Sequence, residues 1–264
     1  MRILLLTQYF RPEKGAAQVR LWELAKGLKR EGHEVTVVTA FPNHPEGIIP
    51  PEYRGKFFLK EDMEGIKVLR TWIYPVRRGR FWLRLLNYFS FVFSSLYGIM
   101  RSGPQDLIVV ESPPLFIGFT AIIASWLKRA PYIFNVADLW PESAVQLGLV
   151  TNKTLISFCE WLEKLFYRKA KKLSAQSQGI VQGIIKKGIP AEDILWLPNG
   201  VDTELFRPRE RDRELEESLG LKDKFIILYA GTMGYAHGLE VALEAAAILE
   251  KEEDIFFLLV GDGS

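Results

Sequence analysis

Residues 106–143 read DLIVVESPPLFIGFTAIIASWLKRAPYIFNVADLWPES. A short apolar, β-branched run (106–111), a helix-length apolar stretch (115–128) and a second short run (131–136) follow one another. That is the pattern of a βα unit in a parallel sheet. The alternation extends outward in both directions. Strands are predicted at 2–7, 34–40, 65–73, 171–176 and 193–197, and helices at 16–30, 82–101, 153–169 and 178–187. In the first helix Val19, Leu21, Trp22, Ala25 and Leu28 recur at helical spacing and Gly32 supplies the stop. Residues 41–56 (FPNHPEGIIPPEYRGK) hold four prolines and two glycines, so a long loop is expected there.

After the turn PNGVD at 198–202, the charge-dense run RPRERDRELEE at 207–217 reads as a link between two domains, 1–205 and 206–264. A strand at 225–230, a glycine-rich turn, a helix at 238–250 and a strand at 255–260 then restart the βα order. The expected fold class is α/β, with a parallel-sheet N-terminal domain and the beginning of a second such domain. Two strands and a helix do not make a stable α/β domain, so the second unit is expected to be truncated and its uncovered strands to promote aggregation.

Of 264 residues, 48% are hydrophobic and 25% charged, which excludes disordered and collagen-like chains. Cys159 is the only cysteine, which excludes an internal disulfide framework and a thiolate metal cluster. Four apolar residues follow Arg2 before Thr7, too few for the apolar core of a signal peptide, and a cytoplasmic location is expected. The net charge of +2 hides an asymmetry: from Gly65 to Gln105 there are seven cations, nine aromatics and no Asp or Glu. Basic plus aromatic composition suits anionic lipid or nucleic acid. Its confinement to one segment argues against nucleic acid. Phe81 and Trp82, with Arg77, Arg78, Arg80 and Arg84, are the candidate membrane contacts. The alternative for 82–101 is a helix packed on the sheet. The 16 residues separating Arg84 from Arg101 fall short of the ~20 needed to span a bilayer.

Ligands of open parallel sheets bind at the carboxyl ends of the strands, and that rule sorts the candidates. After the first strand come Gly15 and Ala16, at a helix start whose free amides attract phosphate. No G-x-G-x-x-G follows, which excludes a dinucleotide-binding dehydrogenase. His44 lies after the second strand and Glu111 after the fourth. Asp138, Trp140 and Glu142 follow the fifth, where a carboxylate either orients a sugar hydroxyl or caps a helix, and the indole either stacks on a ring or fills the core. In the second unit Gly231, Thr232, Gly234, His237 and Gly238 form a turn whose backbone can approach a phosphate, and Gly261-Asp262-Gly263 repeats the device. His33, His44 and His237 are scattered, so no metal site is expected.

Taken together, the loop around Gly15, LAKGLKREGHEVTVVT, PNHPEG, FNVADLWPES, LPNGVD and YAGTMGYAHGLE resemble the retaining glycosyltransferases of family 4. The chain looks most like the WbuB-type amino-sugar transferases of O-antigen and capsule assembly. The resemblance implies a GT-B fold, with an acceptor-binding N-terminal domain and a C-terminal domain that binds a nucleotide sugar, usually UDP-linked, without metal or other cofactor. It implies that Gly15 and Ala16 face the donor diphosphate and that Asp138 is catalytic. It further implies donor-diphosphate contacts from Gly231, Thr232, Gly234, His237 and Gly238, and an acceptor site involving His44, Glu111, Trp140 and Glu142. Ala137 stands where many members have a histidine, and Thr232 and His237 stand where many have Arg and Lys. The family's paired glutamates are expected beyond Ser264, and the alternative to a transferase is a non-catalytic acceptor- or membrane-binding fragment lacking a complete donor site. The implied acceptor is a saccharide on polyprenyl diphosphate, at the inner face of the cytoplasmic membrane.

Overall fold

The computed structural model describes residues 1–77, 81–148, 150–234 and 237–261, with the backbone alone at Phe81. It divides into two compact units, Met1–Asp202 and Thr203–Ser264.

In the first unit the elements follow the predicted alternation: β1 (Arg2–Leu6), α1 (Ala16–Arg30), β2 (Glu34–Ala40), β3 (Phe58–Met63), β4 (Ile66–Thr71), α2 (Phe81–Arg101), β5 (Leu107–Ser112), α3 (Ile117–Lys128), β6 (Tyr132–Val136), α4 (Glu142–Gln146), α5 (Lys153–Lys169), β7 (Lys172–Ala175), α6 (Gln178–Lys186) and β8 (Ile194–Trp196). One eight-stranded sheet runs β3-β4-β2-β1-β5-β6-β7-β8. All pairs are parallel except β3 with β4. The antiparallel β3 corrects the reading of the region before β4. Glu64 and Gly65, at φ 53° and 77°, close a two-residue hairpin, and the Gly65 amide donates to Asp62 Oδ1 at 2.8 Å.

Side-chain parity assigns the two faces of the sheet. Ile3 and Leu5 of β1 pack with Leu21, Trp22 and Ala25 of α1. Leu4 and Leu6 join the opposite core, formed with Phe91 of α2, Ala121 of α3 and Phe166 of α5. The order therefore reverses direction between β1 and β5, with helices on both faces, and this is where doubly wound sheets bind ligands.

The basic aromatic stretch is not one surface. Arg70 is 1% exposed and Phe91 fully buried, while Tyr88, Phe89 and Tyr97 are half-buried. The outer side of α2 instead exposes Trp82, Leu86, Phe93 and Met100 at helical spacing, with Trp82 at 74% and Phe93 at 70%. Arg77 and Arg84 are exposed; Arg78, Arg80 and the Phe81 side chain lie outside the described residues. No helix among the described residues is long and apolar enough to cross a membrane.

The second unit pairs β9 (Phe225–Ala230) in parallel with β10 (Ile255–Val260), with α7 (Arg213–Ser218) and α8 (Glu240–Ile248). The segment read as a charged link thus carries a helix, capped by Asp212 Oδ1 accepting from the Leu215 amide at 3.0 Å.

Candidate functional site

At the carboxyl end of β1 the chain enters the loop 7–15, held from both sides. Glu13 is 7% exposed and its carboxylate accepts the amides of Asn43 at 2.7 Å, His44 at 2.8 Å and Phe10 at 3.2 Å. It ties the β1 loop to the β2 loop. Burial raises the Glu13 pKa, and the three amides pull against that rise. Arg70, on β4, donates to Glu61 at 2.5 Å and to the Arg11 carbonyl, fixing the same loop from beneath. His44 is exposed, its ring 5.2 Å from that of Tyr9 between centroids. Gly47, at φ +67°, lies so close to the next loop that a Cβ there would fall 2.2 Å from the Val76 carbonyl oxygen.

This loop delivers Gly15 to the start of α1. Gly15 is an extended N-cap, no side chain caps the helix, and no acidic residue occupies its first turn. The Val19 amide bonds back to the Gly15 carbonyl, so the amides before it open the helix. Both Gly15 and Ala16 are exposed.

One turn further along α1, Arg20 turns into the sheet and pairs with Glu111. Glu111 has the parity of Leu107 and Val109, which pack with the α1 core, and so it faces that helix. Its other oxygen accepts from Asn135 Nδ2 at 2.9 Å, and Asn135 Oδ1 accepts from Ser174 Oγ at 2.8 Å. Glu111, Asn135 and Ser174 are register partners on β5, β6 and β7. All three are at most 5% exposed, and together they form a satisfied polar row beneath the site. Burial pushes the Glu111 carboxyl up to about 7 against the opposing effects of Arg20 and Asn135. Nearby Asp138 adds to that rise. Asp138 is itself exposed, two residues past β6, and no hydrogen bond to its carboxylate is formed among the described residues.

The predicted residues therefore occupy different environments. Gly15, Ala16, His44 and Asp138 present accessible groups at the carboxyl ends of β1, β2 and β6. Glu111 is beneath them with both oxygens engaged, so it supports Arg20. Trp140 is half-buried against Phe116, 6.2 Å between centroids. Glu142 pairs with Lys187 at 2.7 Å, and the same ammonium holds the buried Glu163. Glu13, Arg20 and Asn135 had no signal in local spacing; their partners are 30, 91 and 24 residues away. Among the described residues no three His, Cys, Asp or Glu side chains converge as a metal cage.

In the second unit Gly231 and Gly261 meet backbone to backbone: a Cβ on Gly261 would lie 1.9 Å from the Gly231 carbonyl oxygen. Gly238 sits at φ +58°. The His237 amide donates to the Gly234 carbonyl at 2.9 Å, and the Tyr229 hydroxyl donates to that of Thr232 at 2.7 Å. Asp262 and Gly263 of the repeated turn lie outside the described residues.

A mostly parallel sheet wound on both faces, with an uncapped helix start at its reversal point, is a doubly wound α/β fold, and it matches the fold of GT-B glycosyltransferases. The chain belongs to the glycosyl transferase 4-like domain family, whose model matches residues 15–200. It is 28% identical over 271 residues to the Escherichia coli protein named as a colanic acid biosynthesis glycosyl transferase, WcaI; the match covers all of this chain and 66% of that protein. Among solved structures it is similar to Anabaena HepE in complex with UDP and glucose, at TM-score 0.67 and 20% identity, covering 100% of this chain and 62% of that one. It is also similar to the catalytic domain of Arabidopsis thaliana starch synthase IV bound to ADP and acarbose, at TM-score 0.69 and 15% identity, covering 99% and 68%. The chain thus spans a little under two thirds of the relatives WcaI and HepE.

Proposed function

We propose that the chain is part of a retaining glycosyltransferase that moves a sugar from a nucleoside diphosphate to a saccharide carried on polyprenyl diphosphate, in cell-surface polysaccharide assembly. Residues 1–205 are the acceptor side and 206–264 belong to the nucleotide-sugar side. The observation that carries this reading is that the open α1 amides at Gly15 and Ala16 and the exposed Asp138 carboxylate stand at strand carboxyl ends of one sheet, above the Arg20–Glu111–Asn135 chain of bonds. The names of WcaI and HepE, which refer to a glycosyl transferase and to a complex with UDP and glucose, support it.

In the reaction the acceptor oxygen forms a bond to the anomeric carbon while the bond from that carbon to the diphosphate oxygen breaks. The leaving diphosphate gains negative charge. Helix-start amides at Gly15 and Ala16 stabilise that charge without a metal. Asp138 accepts a hydrogen bond from the acceptor hydroxyl and orients its oxygen, and as the new bond forms the hydroxyl proton leaves to the departing diphosphate oxygen or to Asp138. His44 and Trp140 border the acceptor, and Glu142 steadies the turn after Asp138 through Lys187. The amino-sugar donors of the WbuB-type branch, UDP-linked, are the first to test. Arg77 and Arg84 with Trp82 rest on the inner face of the cytoplasmic membrane, with no role for nucleic acid.

The experiment is transfer of label from a panel of UDP-hexoses and UDP-N-acetylhexosamines to polyprenyl-diphosphate-linked saccharides, with the product anomer read by NMR. Transfer with retained configuration is expected. An inverted product, or donor hydrolysis alone with every acceptor, would sink the proposal.

A further inference from the structure

Beside the site is a cavity of about 180 Å³ that the transfer chemistry does not use. It opens within two residues of each site carboxylate: Pro113 and Pro114 follow Glu111, and Trp140 follows Asp138. Leu85 and Tyr88 of α2 form one wall, and Phe116, Trp140 and Ala144 form the others. Phe116 is 5% and Ala144 7% exposed, so the walls belong to the packed core. The wall from α2 is anchored: the buried Asn87 accepts from Gln8 Nε2 at 2.8 Å and donates to the Tyr74 carbonyl at 2.7 Å.

The lining is one-sided in its chemistry. Among the described residues it has no carboxylate, amide or aliphatic hydroxyl side chain, the groups that hydrogen-bond sugar hydroxyls. Among the described residues Arg84 is its one charged residue, exposed at the mouth, and no carboxylate there pairs with it. Arg84 stands one helical turn before Tyr88 on α2 and lines the same wall. The volume is below the ~300 Å³ of pockets that enclose a whole drug-sized molecule, so it suits a chain fragment.

From these contacts we infer that the cavity between α2 and the loops after β5 and β6 seats the first isoprene units of a polyprenyl-linked acceptor, with Arg84 at the phosphate that joins lipid to sugar. The inference rests on the acceptor class proposed above and names its lipid subsite. The α2 helix then serves two purposes. Its inner residues grip the head of the lipid, and its outer stripe of Trp82, Leu86 and Phe93 faces the membrane from which the rest of the chain emerges.

The test is equilibrium dialysis of radiolabelled farnesyl diphosphate, below its micelle concentration and without bilayer or donor sugar, against inorganic diphosphate and farnesol. Farnesyl diphosphate is expected to bind at least about tenfold more tightly than inorganic diphosphate, the effect of burying roughly two methylene groups. Arg84→Gln should weaken farnesyl diphosphate roughly threefold to tenfold and leave farnesol unchanged. Ala144→Phe should abolish binding of both. Should that variant fail to melt like the parent, the Arg84→Gln selectivity decides, since Arg84 is exposed and its replacement spares the core. Equal affinity for farnesyl and inorganic diphosphate, or farnesyl diphosphate binding indifferent to Arg84→Gln, overturns the inference. The acceptor reading fails separately: tail-dependent binding with no sugar transfer to any lipid-linked acceptor leaves the cavity assigned and removes the transferase. Equal transfer to tailed and tail-free saccharide diphosphates does the reverse.

Discussion

Replacing Arg70 by Met removes the cation that joins β4 to the site loop while nearly keeping its volume. Arg70 donates to Glu61 at 2.5 Å, to the Arg11 carbonyl and, at 3.5 Å, to that of Ala40, and it lies over the Tyr53 ring at 5.5 Å. The bond to Arg11 is charge-assisted and leaves a carbonyl unpaired when lost, about 1.5–3 kcal/mol. The long Ala40 contact adds little. Glu61 keeps water, its side chain being 23% exposed, so its orphaning costs about 1 kcal/mol, and the ring contact contributes about 1 kcal/mol more. Relief of the arginine's own desolvation offsets part of this. The expected net loss is about 2–4 kcal/mol. Arg70→Lys should recover roughly half, because an ammonium reaches one partner where the guanidinium reaches several. Urea denaturation followed by tryptophan fluorescence suits the measurement, since all seven tryptophans lie within the first unit. Trypsin should also cut after the exposed Lys14 faster in Arg70→Met. A loss under about 0.5 kcal/mol, or an Arg70→Lys chain as stable as the parent, would refute the reasoning.

Asp138→Asn keeps the shape and removes the charge, and turnover in the transfer assay should fall by roughly 10²-fold with stability unchanged; normal turnover would reduce Asp138 to a structural role. For Glu111 the folded pKa of about 7 lies above its ordinary 4.5, so the folded state holds a proton that the unfolded chain releases between those values. Its contribution to stability therefore falls as pH rises from 4.5 to 7, by on the order of 1–3 kcal/mol. Denaturation midpoints across that window should slope less in Glu111→Gln, and an identical slope would contradict the assignment. Gly47→Ala places a Cβ into the Val76 carbonyl at positive φ and should cost about 2–4 kcal/mol, read as a lowered Tm. Vesicle sedimentation should show binding to anionic lipid that weakens with salt, at about 1 kcal/mol each from Arg77 and Arg84, and that drops in Phe93→Ser. Equal binding to neutral and anionic vesicles, or none to either, would leave the outer stripe of α2 without a membrane role.

The order of strands and helices was legible in the chain because it rests on local periodicity. The runs at 106–111 and 131–136 became β5 and β6 within a residue, and the 16–30 pattern became α1 unchanged. The hairpin strand β3 was missed because its FLKEDM has no continuous apolar run and its turn, Glu64-Gly65, is a weak signal beside the prolines preceding it. Gly15, Ala16 and Asp138 are candidates for the same local reason, each standing just past a strand that the chain itself announces. The polar row was not legible. Arg20, Glu111, Asn135 and Ser174 come from four elements, and only the register of three adjacent strands sets them side by side. Nor did composition sort Arg70 from Arg84: both belong to one basic stretch, yet parity on β4 buries the first under the site loop while helix rotation leaves the second at the mouth of the cavity. The chain by itself determines which segments are strands and helices, since that depends on neighbours a few residues apart. The face on which each side chain ends depends on how the sheet is assembled, and tertiary structure alone decided that.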